Sequence, residues 1–234
     1  IGLGIGYITP VSTLVKYFPN RPGFATGLAI MGFGFASLIA GPLMQFLVAQ
    51  VGLVNNFIIL GVIYLVVMGA SSLYLKAPQP KQPPRTPKDK STMYVHNHGM
   101  LANDAMKTWQ FGALWWIFFI NITCGIGLLS LASPMAQETI GMTPAAAASL
   151  VGIIGIFNGG GRIAWSTISD YFGRAQTYIL FFIIQIIAFY VLAETNNALT
   201  FQVLILLIIT CYGGGFACMP AYLADLYGIR QLST

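Results

Sequence analysis

One basic side chain, Arg162, lies deep inside an apolar run of the sequence. It stands eight residues before Asp170, which closes that run. On a helix rising 1.5 Å per residue this is about 12 Å, near the middle of a hydrocarbon layer about 30 Å thick. An arginine at that depth costs at least about 2.5–3.5 kcal/mol on insertion scales, so it should face a polar cavity or a partner. Glu138, Asp170, Glu194 and Asp225 all stand at the ends of apolar runs, and none matches its depth. A substrate's own carboxylate is then the expected counter-charge, because guanidinium meets carboxylate with two parallel hydrogen bonds. The structural alternative is an arginine bonded to backbone carbonyls, or to an acid on helices outside this sequence.

Asn158 and Gly159 to Gly161 lead up to Arg162. Small residues let membrane helices approach closely. A phosphate-binding loop would need Gly-Lys-Ser/Thr after a strand, and neither is present. Tyr7, Tyr212 and Phe216 sit beside glycines and are candidates for the walls of a small-anion cavity, with plain packing as the alternative. Trp115 and Trp116 are expected to face lipid or a neighbour. No Ser-His-Asp set, cofactor motif or metal cluster is visible, so neither an enzyme nor a cofactor is expected. His96 and His98 form a lone His-x-His in polar sequence, expected to be solvated. Cys124, Cys211 and Cys218 lie in apolar runs and read as small buried hydrophobes.

The elements that position these residues follow from composition. Of 234 residues, 56% are hydrophobic and 7% charged, with a mean hydropathy of +0.76. A soluble domain carries about 25% charged residues. Soluble, disordered and disulfide-stapled classes are thereby excluded, and a multi-spanning helical membrane protein is indicated. No charge occurs between Arg21 and Lys76, a stretch long enough for two spans. Seven spans are expected, at 1–17, 23–49, 56–75, 111–136, 145–169, 176–193 and 199–224. Pro144 suits the first turn of its helix, and Pro42, in Ala40-Gly41-Pro42, should bend the second span. A β-barrel fails, because runs such as Ile179 to Ile184 are apolar on both faces.

The stretch 76–107 carries Pro78, Pro80, Pro83, Pro84 and Pro87 with six lysines and arginines, the composition of a linker. Numbering the connections in order, the odd ones and the tail contain or border ten basic residues, and the even ones none. The positive-inside rule places the odd connections, the linker among them, in the cytoplasm. The net charge of +5 is thus a topology signal. A nucleic-acid partner would need a folded basic surface, and none is expected.

Gly4-Ile5-Gly6-Tyr7-Ile8-Thr9-Pro10 resembles Gly213-Gly214-Gly215-Phe216-Ala217-Cys218-Met219-Pro220, in spans one and seven. A repeat of six spans is even, so both copies run the same way, as in transporters built from two parallel six-helix halves. With the linker at the junction of the halves, the sequence corresponds to helices four to ten of twelve. Residues 1–75 would end the first half, and 108–234 would begin the second. Missing helices of the same protein would complete the fold, three before Ile1 and two after Thr234.

Ser166-Thr167-Ile168-Ser169-Asp170-Tyr171-Phe172-Gly173-Arg174 resembles the signature loop of the major facilitator superfamily. Asp170, Gly173 and Arg174 match the pattern, while Ser166, Tyr171 and Ala175 depart from it. The resemblance implies a gating loop whose charges lock and release neighbouring helices. Residues 4–13, Lys16-Tyr17-Phe18-Pro19, Gly27 to Gly34, Asn158 to Arg162 and Gly213 to Phe216 with Met219-Pro220 are similar to the oxalate/formate antiporter family. That resemblance implies an all-α membrane fold and alternating-access antiport of small organic anions. It also implies a lysine in helix eleven, beyond this sequence, working with Arg162. The expected substrate-binding residues are Arg162, Tyr7, Tyr212, Phe216 and Asn158. The expected partners are a small carboxylate and the bilayer of the cell membrane. The alternative is a proton-coupled monocarboxylate carrier. A channel or membrane sensor is the rival class, but no lined pore or signalling domain is visible.

Overall fold

The computed structural model describes residues 2–18, 20–74 and 100–228, without the side chains of residues 2–6 and 8. Every regular element among the described residues is a helix. In order they are α1 (Gly2–Tyr17), α2 (Pro22–Tyr74), the short α3 (Ala102–Ala105), α4 (Trp109–Glu138), α5 (Pro144–Phe172), α6 (Arg174–Glu194) and α7 (Ala198–Tyr227). Among the described residues α2, α4, α5, α6 and α7 are long and apolar enough to cross a membrane.

At 53 residues, α2 would measure about 80 Å if straight, far more than one bilayer crossing. Gly52, at φ 79° and ψ 172°, breaks it into two runs. Only glycine takes that backbone conformation without a steric penalty. The break is therefore sharper than the expected connection at 50–55. Asn55 is already helical and donates to the Val51 carbonyl at 3.0 Å. The chain keeps helical dihedral angles through Pro42.

Caps fix the other boundaries. Thr143 Oγ1 accepts the Ala146 amide at 3.3 Å, with Pro144 in the first turn. Asn197 Oδ1 accepts the amides of Leu199 and Thr200 at 3.0 and 3.1 Å, opening α7. Gly173, at φ 99°, is the single residue between α5 and α6.

The core gathers around α7, which packs on every other long helix. Phe201, Ile205, Ile208 and Ile209 are fully buried with Ala132, Ala147 and Ala188 of α4, α5 and α6. On α6, Thr177, Tyr178, Phe181, Gln185, Ala188 and Leu192 form a single buried stripe, the spacing of a one-sided helix. Glycines allow the tightest seams. A Cβ at Gly161 would come within 2.7 Å of the Thr210 backbone, and one at Gly34 within 2.8 Å of the Asn158 carbonyl carbon. The second run of α2 instead presents Leu65, Leu73 and Tyr74 outward, as α4 does Trp115 and Trp116.

Most of the expected linker, 76–99 with His96 and His98, lies outside the described residues, as does Arg230. Residues 100–107, at its end, pack on α7. The Met100 amide donates to the Tyr227 carbonyl at 3.2 Å, and the Thr108 and Tyr227 hydroxyls lie 2.8 Å apart. The end of α1, the starts of α2 and α4, the α5–α6 joint and the end of α7 thus share one end of the bundle. Arg21 lies there, 5.7 Å from the centre of the Tyr171 ring.

Candidate functional site

Helix α5 is wedged between α2 and α7, so it buries residues on two sides. Gly155, Asn158, Gly159, Arg162, Ser166 and Ser169 are all buried. Arg162 is only 3% exposed. Its Nε donates to Asn158 Oδ1, one turn earlier, at 3.2 Å. Its guanidinium carbon lies 4.9 Å from the Phe216 ring centre on α7 and 5.9 Å from that of Phe33 on α2. Both are within cation–π range. Tyr7 of α1 sets its ring edge-on to Phe33 and Phe216, at 5.6 Å from each. Four helices therefore converge on one guanidinium.

That guanidinium is not fully satisfied. Nη1 is buried and has no hydrogen-bond partner among the described residues. A buried charged donor without an acceptor costs upwards of about 1–3 kcal/mol. The described acids stand in the α3 turn (Asp104) or at the ends of helices (Glu138, Asp170, Glu194, Asp225). Chemically, the site is a buried guanidinium with one unpartnered donor beside aromatic rings.

Of the sequence-predicted residues, Arg162, Asn158, Tyr7 and Phe216 meet directly. Tyr212 is buried on α7. Its ring lies over Gly125 of α4, where a Cβ would come within 2.8 Å of the Tyr212 Cβ. Phe33 was not expected from the sequence. Its signal is the Gly32-Phe33-Gly34 triplet, in which Gly34 packs against Gly159 of α5 while Gly32 faces open space.

The second cluster lies at the end of the bundle. Asp170 accepts the Gly23 amide at 2.8 Å through Oδ1 and the Phe24 amide at 2.9 Å through Oδ2. These are free donors at the start of α2, where the helix dipole favours an anion. Arg174 pairs with the same Asp170 at 2.5 Å and with Asp225 of α7 at 2.8 Å, and it donates to Ser169 Oγ. One arginine and two aspartates therefore tie α2, α5, α6 and α7 together. Gly173 supplies the turn that aims Arg174 back at Asp170. Ser169 and Asp225 belong to this cluster too, although the loop pattern does not include them.

Among the described residues, five packed helices long and apolar enough to cross a membrane define a multi-pass helical membrane protein. The chain matches the Major Facilitator Superfamily model over residues 1–233 and belongs to that superfamily. It is 29% identical over 233 residues to the uncharacterised MFS-type transporter YhjX of Escherichia coli (strain K12), covering 98% of this chain and 56% of that protein. It is 25% identical over 230 residues to the oxalate:formate antiporter of Oxalobacter formigenes, covering 97% and 53%. A shorter match, 36% over 89 residues, is to human monocarboxylate transporter 11, covering 37% and 19%. The chain spans about half the length of the first two relatives. It is a multi-pass membrane protein with the major facilitator fold.

Proposed function

We propose that this chain is part of a secondary transporter that exchanges small carboxylates, of the oxalate or formate type, by alternating access. The observation that carries the reading is the buried Arg162, whose Nη1 has no partner among the described residues. A carboxylate placed there would accept the free donor and balance the charge. The aromatic collar of Phe33, Phe216 and Tyr7 favours a small anion over a bulky one. The Asp170–Arg174–Asp225 cluster acts as the gate, holding α2 against α5 and α7 at the end of the bundle that the charge pattern assigns to the cytoplasm. Residues 1–75 and 108–234 then belong to the two halves that rock about Arg162. The similarity to an oxalate:formate antiporter supports this reading.

A second reading, proton-coupled monocarboxylate transport, draws on the shorter similarity to monocarboxylate transporter 11. A proton-driven carrier commonly uses a carboxylate within the membrane as a relay, and the described helices hold their acids at their ends. Counterflow in liposomes containing the full-length protein separates the readings, with a panel of labelled mono- and dicarboxylates. Exchange of small carboxylates at a pH-independent rate is expected. Steep acid stimulation at constant anion concentration would favour the proton-coupled reading, and exchange of neutral or cationic solutes alone would refute both.

A further inference from the structure

Asn158 is 8% exposed, and its Oδ1 is the acceptor for the Arg162 Nε at 3.2 Å. An aspartate would reach the same nitrogen from the same position, because the two side chains differ only in an amide for a carboxylate oxygen. The consequence for the site would be large. A carboxylate there would neutralise the guanidinium and compete with any anion for it. The chain places a neutral amide at this point instead.

The surroundings hold the pair in that arrangement. A Cβ at Gly213 of α7 would lie 2.5 Å from the Asn158 carbonyl oxygen, 2.8 Å from Oδ1 and 3.3 Å from Arg162 Cγ. Glycine at 213 is therefore what leaves the amide and the guanidinium in register. Each packed element offers few other titratable groups. The titratable groups nearest the arginine are the phenols of Tyr7 on α1 and Tyr212 on α7. At this contact α2 brings Phe33 and Gly34, neither of which titrates, and α5 itself brings only Arg162.

We propose that Asn158 is the positioning residue that sets the charge of the anion site. It orients the guanidinium through Nε and leaves its whole positive charge, with Nη1, to the substrate. Because the brace is neutral, an anion binds without taking up a proton. This inference rests on the reading of Arg162 as the carboxylate-binding group.

The test measures binding of labelled oxalate and formate to the full-length protein in liposomes. Free carboxylates titrate near pH 4, so both probes stay ionised between about pH 6 and 8. The parent protein should bind them with nearly constant affinity across that range. Asn158→Asp should bind roughly 10- to 100-fold more weakly at about pH 8, the worth of one charge-assisted hydrogen bond. Its affinity should stay low across that range and recover only below it, because a carboxylate beside the guanidinium stays ionised there and anion binding favours its protonation only modestly. Asn158→Leu loses the brace but keeps the charge, so it should weaken binding several-fold with a flat pH profile. If the acidic variant does not accumulate, Asn158→Leu carries the test alone, and parental affinity in it would overturn the inference.

Arg162→Gln, measured alongside, separates the two ideas. If it weakens binding while Asn158→Asp binds like the parent with a flat profile, the charge-setting role is refuted and the Arg162 reading stands. If Arg162→Gln changes nothing, the Arg162 reading falls and this inference falls with it.

Discussion

Replacing Asp170 with asparagine takes one charge out of the joint between α2 and α5 while keeping the shape of the side chain. The carboxylate accepts two backbone amides at 2.8 and 2.9 Å, each bond to a charged group being worth about 1.5–3 kcal/mol. Asparagine keeps one acceptor oxygen and so one neutral bond of about 1 kcal/mol. Arg174 is not stranded, because Asp225 still holds it at 2.8 Å. The net loss is then about 3 kcal/mol, or roughly two factors of ten in the equilibrium between latched and unlatched forms. Cys218 reports on this directly. It is fully buried, with its sulfur 3.5 Å from Ser169 Oγ beneath the latch. With Cys124 and Cys211 replaced by serine, Asp170→Asn should raise the rate of Cys218 labelling by a water-soluble maleimide about 10- to 100-fold, following the open population. An unchanged rate, in a variant that still folds, would refute the claim that this charge holds the joint closed.

Gly34→Ala puts a methyl group against the α5 backbone, within 2.8 Å of the Asn158 carbonyl carbon. It should cost about 1–3 kcal/mol of stability, whereas Gly32→Ala enters open space and should stay within about 0.5 kcal/mol; thermal unfolding in detergent compares them. Exchange of an ionised carboxylate should change little between about pH 6 and 8, because no acid among the described residues stands at the depth of Arg162; a pH series of counterflow rates checks this. The basic connections, including 76–107, should face the cytoplasm, so protease should cut that segment in inverted vesicles and spare it in right-side-out ones.

The helices were legible because their causes are local. Long apolar runs, Thr143-Pro144 and Asn197 mark boundaries that depend on neighbours a few residues away. Arg162 was legible from one long-range fact, its depth in an apolar run. Gln50, Asn55 and Asn56 read as loop residues, yet only Gly52 leaves the helix, because polar side chains at a helix surface do not by themselves break it. Phe33 and Asp225 were missed for a different reason. They come from helices more than fifty residues away in sequence from Arg162 and Arg174, and only the packing of α2 and α7 against α5 and α6 brings them in. For Asp170 the loop pattern suggested the role, but its acceptors' partners are backbone amides, which no side-chain pattern displays.

Carboxylate binding turns on the Arg162 guanidinium, and variants at this position test it. Substrate affinity for a labelled small carboxylate is measured beside melting temperature for Arg162→Lys and Arg162→Gln in the full-length protein. Lysine keeps the charge without the planar two-pronged geometry, and glutamine loses both. Affinity should be about 10- to 100-fold weaker for glutamine, with lysine in between. Stability should fall little, since Asn158 is the only hydrogen-bond partner of the side chain among the described residues. Unchanged affinity with a lowered melting temperature would show that Arg162 is structural and does not bind the carboxylate.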